Sequence, residues 1–471
     1  MGALKNLPRA FAFASALILL PLAQSQAQGL VRDAEIETTL KRYGKPLFEA
    51  GGLNPDEVDI YIINDNSLNA FVTGGQQMYF HTGLLIKAET PQEILGVMAH
   101  EAGHIIGGHN ITRTQAMGSA QGSSWIALGL GVLAIAAGAP DAGVALMASS
   151  QQAAALTFFK YTRIEESSAD QTGLTLLEKT GIPADGLVTF MENIRVSEVL
   201  SARRQDPYYR THPEIGPRIG ALRNRAEVIT ANADPLPDEY QRELEMMQAK
   251  LIGFLQPRTA YIKYPLSDTS TAAHYARAIA AHQNRDETAA LKEVQTLVEL
   301  EPDNPYFEEL YGQILFENGK FEESVPHHRR ALEITQDHSL LYVNLAQSLI
   351  SLKTKEANEE AEDLLHKALI LEPGNAYAWR QMSFALGALG RKAEAELATA
   401  ESAYVIGDLV KANIFASRAK DDLPQDTPKW RRADDIAAIT QAYMQNNAPR
   451  QQRRRLNSQF SFEAHKDVNH H

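Results

Sequence analysis

His100-Glu101-Ala102-Gly103-His104 is an H-E-x-x-H motif, two imidazoles with a carboxylate set beside the first. Side chains four apart on a helix lie one above the other, so His100 and His104 can grip one zinc ion. Glu101 then sits next to the metal, where it can deprotonate a water molecule. Catalytic zinc takes three protein ligands and keeps a further position open. A histidine at H-E-x-x-H-x-x-G-x-x-H spacing would supply the third, but His109 falls one residue early for that pattern.

A downstream carboxylate is the alternative. Arg163-Ile164-Glu165-Glu166-Ser167-Ser168-Ala169-Asp170 begins a helical stretch, and Glu166 and Asp170 share one of its faces. Glu166 is the expected third ligand. Asp170 is expected to accept the outer N–H of a ligand histidine and hold the ring in place. Glu165 is the rival ligand, turned about 100° away on the same helix. Thr211-His212-Pro213 adds a further imidazole, on an extended backbone because proline follows. Two roles fit His212: a donor to the oxyanion of a tetrahedral intermediate, or an occupant of the fourth zinc position that silences the site until substrate displaces it. Arg218, just beyond, can bind substrate carbonyls or pair with Asp170.

The elements that must position these groups are legible upstream. Residues 33–50 read as a helix, with Ile36, Leu40, Tyr43 and Leu47 on its apolar side. Asp59-Ile60-Tyr61-Ile62-Ile63 is a strand by its β-branched and aromatic content. Asn69-Ala70-Phe71-Val72 and Gln77-Met78-Tyr79-Phe80-His81 are two more, joined by a turn at Thr73-Gly74-Gly75. The motif helix opens at Thr90-Pro91-x-Glu93, where Thr90 can cap, Pro91 suits the first position and Glu93 completes a capping box.

The chain has 471 residues, a formal charge of -13 and no cysteine. That length calls for two or three domains. The acidic balance argues against nucleic-acid binding. Without cysteine there is no disulfide and no thiolate metal site, so any zinc takes imidazole and carboxylate ligands. The N-terminus has the layout of a secretory signal: Lys5 and Arg9, an apolar run from Ala10 to Leu20, then Ser25-Gln26-Ala27 as a small-x-small cleavage site. An uncleaved anchor is the alternative. Export is expected, and the periplasm is the expected compartment.

Residues 117–158 are glycine-rich and apolar with almost no charge, broken by Pro140 and Asp141. They suit an apolar flap over the site, a buried helical hairpin, or a segment in peripheral contact with a membrane surface. Prolines and a Ser/Thr run make 256–272 an expected linker. Beyond it the chain repeats: Leu297, Ala331 and Ala368 fall in the same phase, at steps of 34 and 37 positions, which bracket the tetratricopeptide period. Such helix pairs bury their apolar faces only by stacking, and the concave side of the stack can take a peptide. The expected layout is a signal peptide at 1–27, a protease domain at 28–255, the linker, a repeat domain at 273–445 and a polar tail at 446–471.

The H-E-x-x-H motif, followed by Arg163-x-x-Glu166-x-x-Ala169-Asp170, resembles the HtpX-like zinc metalloproteases, which are gluzincins. Asn69-Ala70-Phe71 and Thr82-Gly83-Leu84-Leu85 are similar to the strand region before that family's motif helix. The signal peptide, the Thr211-His212-Pro213 element and the C-terminal repeats resemble its periplasmic members. The resemblance implies a mainly α fold: an α+β gluzincin domain with a small sheet, its cleft facing an α-solenoid of tetratricopeptide repeats. It also implies quality control of outer-membrane β-barrel proteins, with the β-barrel assembly machinery as partner.

The expected function is therefore an exported zinc endopeptidase, with one Zn2+ per chain, that degrades unfolded or misassembled outer-membrane proteins and assists their assembly. Substrate is expected to add as a strand beside Asn69-Ala70-Phe71. The alternative is a repeat-based chaperone or scaffold with a latent zinc site.

Overall fold

The computed structural model describes residues 29–109, 163–200, 212, 215–335 and 338–447. The expected signal peptide, the 117–158 segment and the tail beyond Asn447 lie outside these residues. Among the described residues no helix is long and apolar enough to cross a membrane.

The N-terminal part is a helical domain around a four-stranded sheet. Its strands are β1 (Leu30–Val31), β2 (Asp59–Ile63), β3 (Ala70–Thr73) and β4 (Gln77–His81), in the order β1-β2-β4-β3. β2 runs parallel to β4, while β1 and β3 lie antiparallel at the edges. The three strands expected from residue type are present. β1 was not expected, because two residues carry too little pattern to read. The turn between β3 and β4 uses positive φ at Gly75 and Gln76, the backbone form that glycine adopts at least cost.

Helix α1 (Ala34–Ala50) is capped by Asp33, whose side chain accepts from the Ile36 N–H. After the short α2 (Thr82–Lys87), α3 (Pro91–Ile106) runs through the middle of the domain and carries the H-E-x-x-H motif. It is buried from Glu93 to His104. Its start departs from the expected capping box. Thr90 makes no side-chain cap bond; Glu93 instead accepts from the Glu89 N–H at 3.0 Å and from Asn193 at 3.2 Å. The carboxyl also takes a backbone hydrogen bond from Thr90, so the return half of the box is present and only the Thr90 side-chain half is missing.

Helix α4 (residues 163–180) crosses α3 at close range. A Cβ on Gly103 would stand 2.6 Å from the Ala169 carbonyl oxygen, so the two backbones touch where the motif faces the second carboxylate run. Helices α5 (Asp185–Leu200), α6 (Ile215–Asn232) and α7 (Asp238–Leu255) complete the packing. One apolar core joins Ile36, Leu40, Phe80, Leu95, Met98, Leu177, Leu187 and Leu222.

The stretch expected as a linker is folded. It holds α8 (Pro257–Lys263), and Ala260 and Tyr264 share a core with Met246 and Ile252 of α7 and with Ala276 and Ile279 of α9 (Thr271–Gln283). Prolines at 257 and 265 bound a helix here rather than break one. The repeats follow as paired helices: α9 with α10 (Glu287–Leu300), α11 (Pro305–Glu317) with α12 (Phe321–Thr335), α13 (Ser339–Ser351) with α14 (Lys355–Leu371), α15 (Ala376–Ala388) with α16 (Lys392–Val405), and α17 (Leu409–Asp422) with α18 (Pro428–Asn447). First helices begin at Thr271, Pro305, Ser339, Ala376 and Leu409, steps of 34, 34, 37 and 33 residues. Leu297, Ala331 and Ala368 are buried in the second helices of their pairs, as the repeat phase requires.

The two parts are joined by charge as well as by apolar packing. Lys250 of α7, 2% exposed, meets Asp33 at 2.7 Å and Glu35 at 3.2 Å. Tyr275 of the first repeat donates to Glu35 at 2.7 Å. Arg32 reaches Glu372 of the third repeat at 2.7 Å. A cavity of about 840 Å³ remains between β1, the start of α1 and the repeats, lined in part by Arg32, Glu309, Phe316, Asn344, Tyr377 and Ile406.

Candidate metal centre

Four buried side chains converge: His100 and His104 from α3, Glu166 from α4, and His212. Each offers one ligand atom, and all four atoms lie within 4.8 Å of one another. His100 Nε2 stands 3.2 Å from His104 Nε2, 3.3 Å from His212 Nδ1 and 3.5 Å from Glu166 Oε2. His104 Nε2 is 3.5 Å from Glu166 Oε1, and His212 Nδ1 is 2.9 Å from Glu166 Oε2. Zinc–ligand bonds of about 2.0–2.1 Å in a tetrahedron put the ligand atoms roughly 3.3 Å apart. The separations of 2.9–3.5 Å lie near that edge, the whole set stays within 4.8 Å, and three imidazoles with one carboxylate are a zinc-type donor set. The residues present therefore fit the ion.

The outer nitrogens explain why the inner ones face each other. His100 Nδ1 lies 2.9 Å from Asp170 Oδ1. A carboxylate accepts, so Nδ1 carries a proton, and a bound metal would take the lone pair of Nε2. Arg218 holds the two acids: Nε and Nη2 donate to Asp170 at 2.8 and 2.7 Å, and Nη1 lies 2.8 Å from Glu166 Oε2. Burial would raise the pKa of Glu166, but the nearby His212, His100 and Arg218 outweigh it and hold the carboxyl well below its ordinary range. Burial likewise opposes ionisation of Asp170, and Arg218 and His100 override it. For His100, burial favours the neutral ring, yet the Asp170 and Glu166 carboxylates lift its pKa to about 9. Three imidazoles gathered with the Glu166 carboxylate are a donor set that could hold a cation.

Of the residues singled out in the sequence, His100, His104, Glu166, Asp170, His212 and Arg218 come together, and Glu101 lies among them, fully buried. Glu165 is not in the cluster. Asn69, expected to act on substrate or support the site, is buried just before β3. Its carbonyl accepts from the His81 N–H at 3.0 Å, so it belongs to the β3–β4 ladder. Alternation along an antiparallel pair then turns the backbone groups of Ala70 and Val72 away from β4, toward the sheet edge. The Ala70 carbonyl is the one that meets the site, 3.3 Å from His212 Nε2. That register could have been found only by pairing Asn69 with His81, which the strand pattern alone leaves open.

His212 spans the centre. Its Nδ1 faces the ligand cluster, while Nε2 faces two oxygens, Ala70 O and Glu101 Oε1, each at 3.3 Å. Both of those are acceptors, so Nε2 carries a proton; Nδ1 also meets an acceptor, Glu166 Oε2 at 2.9 Å, and would present a lone pair only to a bound metal.

A model of peptidase family M48 matches residues 34–226. The beta-barrel assembly-enhancing protease of Escherichia coli strain K12 is 22% identical over 413 residues, which cover 86% of this chain and 83% of that one. The protein of the same name from Yersinia pestis is 22% identical over 360 residues, covering 75% and 72%. Metalloprotease YcaL of Escherichia coli strain K12 is 26% identical over 200 residues, covering 41% of this chain and 73% of its own.

Proposed function

From a chain whose residues 34–226 match a model of peptidase family M48, we infer an exported, zinc-dependent endopeptidase that acts on unfolded or misassembled outer-membrane β-barrel proteins and assists their assembly. The observation that carries this reading is the convergence of the His100, His104, Glu166 and His212 ligand atoms within 4.8 Å of one another, with Glu101 beside them. His100, His104 and Glu166 would hold the metal. Zinc bound there supplies Lewis-acid polarisation of the scissile carbonyl and of the attacking water.

The other steps belong to the protein. Glu101 takes the proton from that water and delivers it to the leaving amine. Asp170 holds the His100 ring, and Arg218 holds Asp170 and Glu166. The outward groups of β3 offer an extended substrate a strand to pair with, as edge strands do. Misfolded barrel proteins present unpaired strands of that kind. The concave side of the repeats, with its cavity of about 840 Å³, gives room to gather a chain before it reaches the cleft.

His212 favours a resting state. Its Nδ1 would take a fourth ligand position on a bound metal, and its Nε2 lies 3.3 Å from the Ala70 carbonyl that a substrate strand would use. One side chain thus blocks the metal and the strand edge together, and substrate must displace it to enter. The same geometry is the basis of the second reading, a repeat-based chaperone or scaffold for outer-membrane protein assembly in which the zinc site stays latent. The compartment proposed for both is the periplasm, with the β-barrel assembly machinery as partner, contact with a membrane surface as peripheral, and no nucleic-acid partner.

Glu101→Gln separates the readings. It keeps the shape of the side chain and removes the base. In the endopeptidase reading the variant binds one zinc per chain, stays folded and no longer cleaves casein or itself. Cleavage at the wild-type rate would remove Glu101 from the mechanism. Full rescue of an envelope-assembly defect by the inactive variant would select the chaperone.

A further inference from the structure

The motif helix ends in a turn with a function of its own. α3 stops at Ile106; Gly107 keeps a helical backbone, and Gly108 takes φ +62°, the left-handed form that reverses the chain. His109 therefore folds back under the helix, where it is buried. Its Nδ1 lies 2.9 Å from His104 Nδ1, with the two rings near perpendicular at 80°. The fold-back needs a bare backbone: a Cβ on Gly107 would stand 2.3 Å from His109 Nε2.

Two ring nitrogens at 2.9 Å require one proton and one lone pair between them. His104 Nε2 is the atom that faces His100 and Glu166, so its lone pair points into the cluster. The proton of the neutral ring then sits on Nδ1 and is donated to His109 Nδ1. His109 keeps its own proton on Nε2.

We propose that His109 is a positioning residue: a neutral imidazole that accepts the outer N–H of His104 and thereby fixes both the tautomer and the tilt of that ligand. This rests on reading the four-residue cluster as a metal site. The support around the site is then unequal. His100 is held by a carboxylate that an arginine anchors, and His104 by an uncharged ring set by a glycine turn. Spacing hides this role, because His109 falls outside every ligand pattern and matters only through the chain reversal at Gly108.

The test uses the full chain as His109→Phe, His109→Asn and Gly107→Ala. Phenylalanine fills the space without an acceptor. Asparagine restores an acceptor oxygen near the Nδ1 position. The methyl on Gly107 displaces the His109 ring without removing it. Zinc affinity is read by competition with a chromophoric chelator, and ligand geometry by the visible spectrum of the Co2+-loaded protein. Loss of an outer-shell partner lowers metal affinity about 10- to 100-fold. We expect that loss in His109→Phe and Gly107→Ala, with an altered Co2+ spectrum, and recovery of most of it in His109→Asn. Should His109→Phe fail to fold, Gly107→Ala and His109→Asn still give opposite results. Wild-type affinity and an unchanged spectrum in both His109→Phe and Gly107→Ala would overturn the role of His109 while leaving the metal site intact. A wild-type protein that binds no zinc would overturn the metal site itself, and this inference with it.

Discussion

Arg218 grips Asp170 through two parallel hydrogen bonds, Nε to Oδ2 at 2.8 Å and Nη2 to Oδ1 at 2.7 Å, and its third nitrogen rests 2.8 Å from Glu166. One guanidinium thus fixes both the carboxylate that faces the ligand cluster and the carboxylate that steers His100. Lysine cannot reproduce a planar fork. Arg218→Lys is expected to bind zinc about 10- to 100-fold more weakly. Arg218→Ala is expected in addition to lower stability by about 3–5 kcal/mol, because it strands two buried carboxylates. Chelator competition and urea unfolding measure the two effects. A lysine variant with unchanged zinc affinity would show that the fork serves packing alone.

The sequence already contained the chemistry of this centre but only part of its mechanical support. His100, His104, Glu166 and Asp170 follow from helical spacing, since residues four apart must share a face. The sheet strands and the repeat phase follow from periodicity in the same way. Pairwise geometry across distant segments does not. That Asn69 pairs with His81, and so hands the site-facing carbonyl to Ala70, depends on a register that two short strands do not specify. The fold-back of His109 depends on one backbone angle at Gly108. The helix at 257–263 was hidden because its prolines read as breakers, whereas Pro257 occupies the first turn, where proline is tolerated.

His212 Nδ1 lies 3.3 Å from His100 Nε2 and its Nε2 lies 3.3 Å from the Ala70 carbonyl, so in the proposed resting state one ring covers both a ligand position and the strand edge. Removing its ring should open both. His212→Ala is therefore expected to raise kcat/KM on an unfolded protein substrate about tenfold, the effect of a latch worth about 1.4 kcal/mol. The oxyanion role predicts the opposite, a fall of about 10²- to 10³-fold in kcat. Steady-state kinetics on casein, with zinc content measured in parallel, decides between the two signs.

Lys250 is buried where the N-terminal domain meets the first repeat, salt-bridged to Asp33 and Glu35. Lys250→Met keeps the volume and leaves two acids facing an apolar wall. It is expected to destabilise the junction by about 3–5 kcal/mol. Adding Glu35→Gln should return part of the loss, because Glu35 is the deeper acid and Tyr275 can still donate to the amide oxygen. Urea unfolding of the single and double variants checks the coupling. A double variant no better than the single would mean that Glu35 already sits uncharged in the single variant.

The repeats carry their own acid sensitivity. His328 packs flush on Gly312, where an added Cβ would stand 2.7 Å from its ring, and burial pushes its pKa down to about 4. In the unfolded chain an ordinary histidine titrates near 6.5. Between pH 6.5 and 4 the unfolded state therefore holds a proton that the folded state refuses, and stability falls as the pH falls. Above 6.5 both states are neutral and below 4 both are charged, so the slope is confined to that window. The full drop is roughly 3 kcal/mol. Glu309 acts with the opposite sign: burial pushes its carboxyl up to about 7, so its contribution is present below the unfolded value and lost as pH rises toward 7. A melting curve of the wild type alone mixes the two. The difference between wild type and His328→Gln isolates the histidine, since Glu309 is common to both. That difference should be flat above pH 6.5 and should shift in favour of the variant as the pH is lowered to 4. If it stays flat across the window, His328 takes up its proton in the folded state as readily as in the unfolded one, and the packing against Gly312 does not exclude charge.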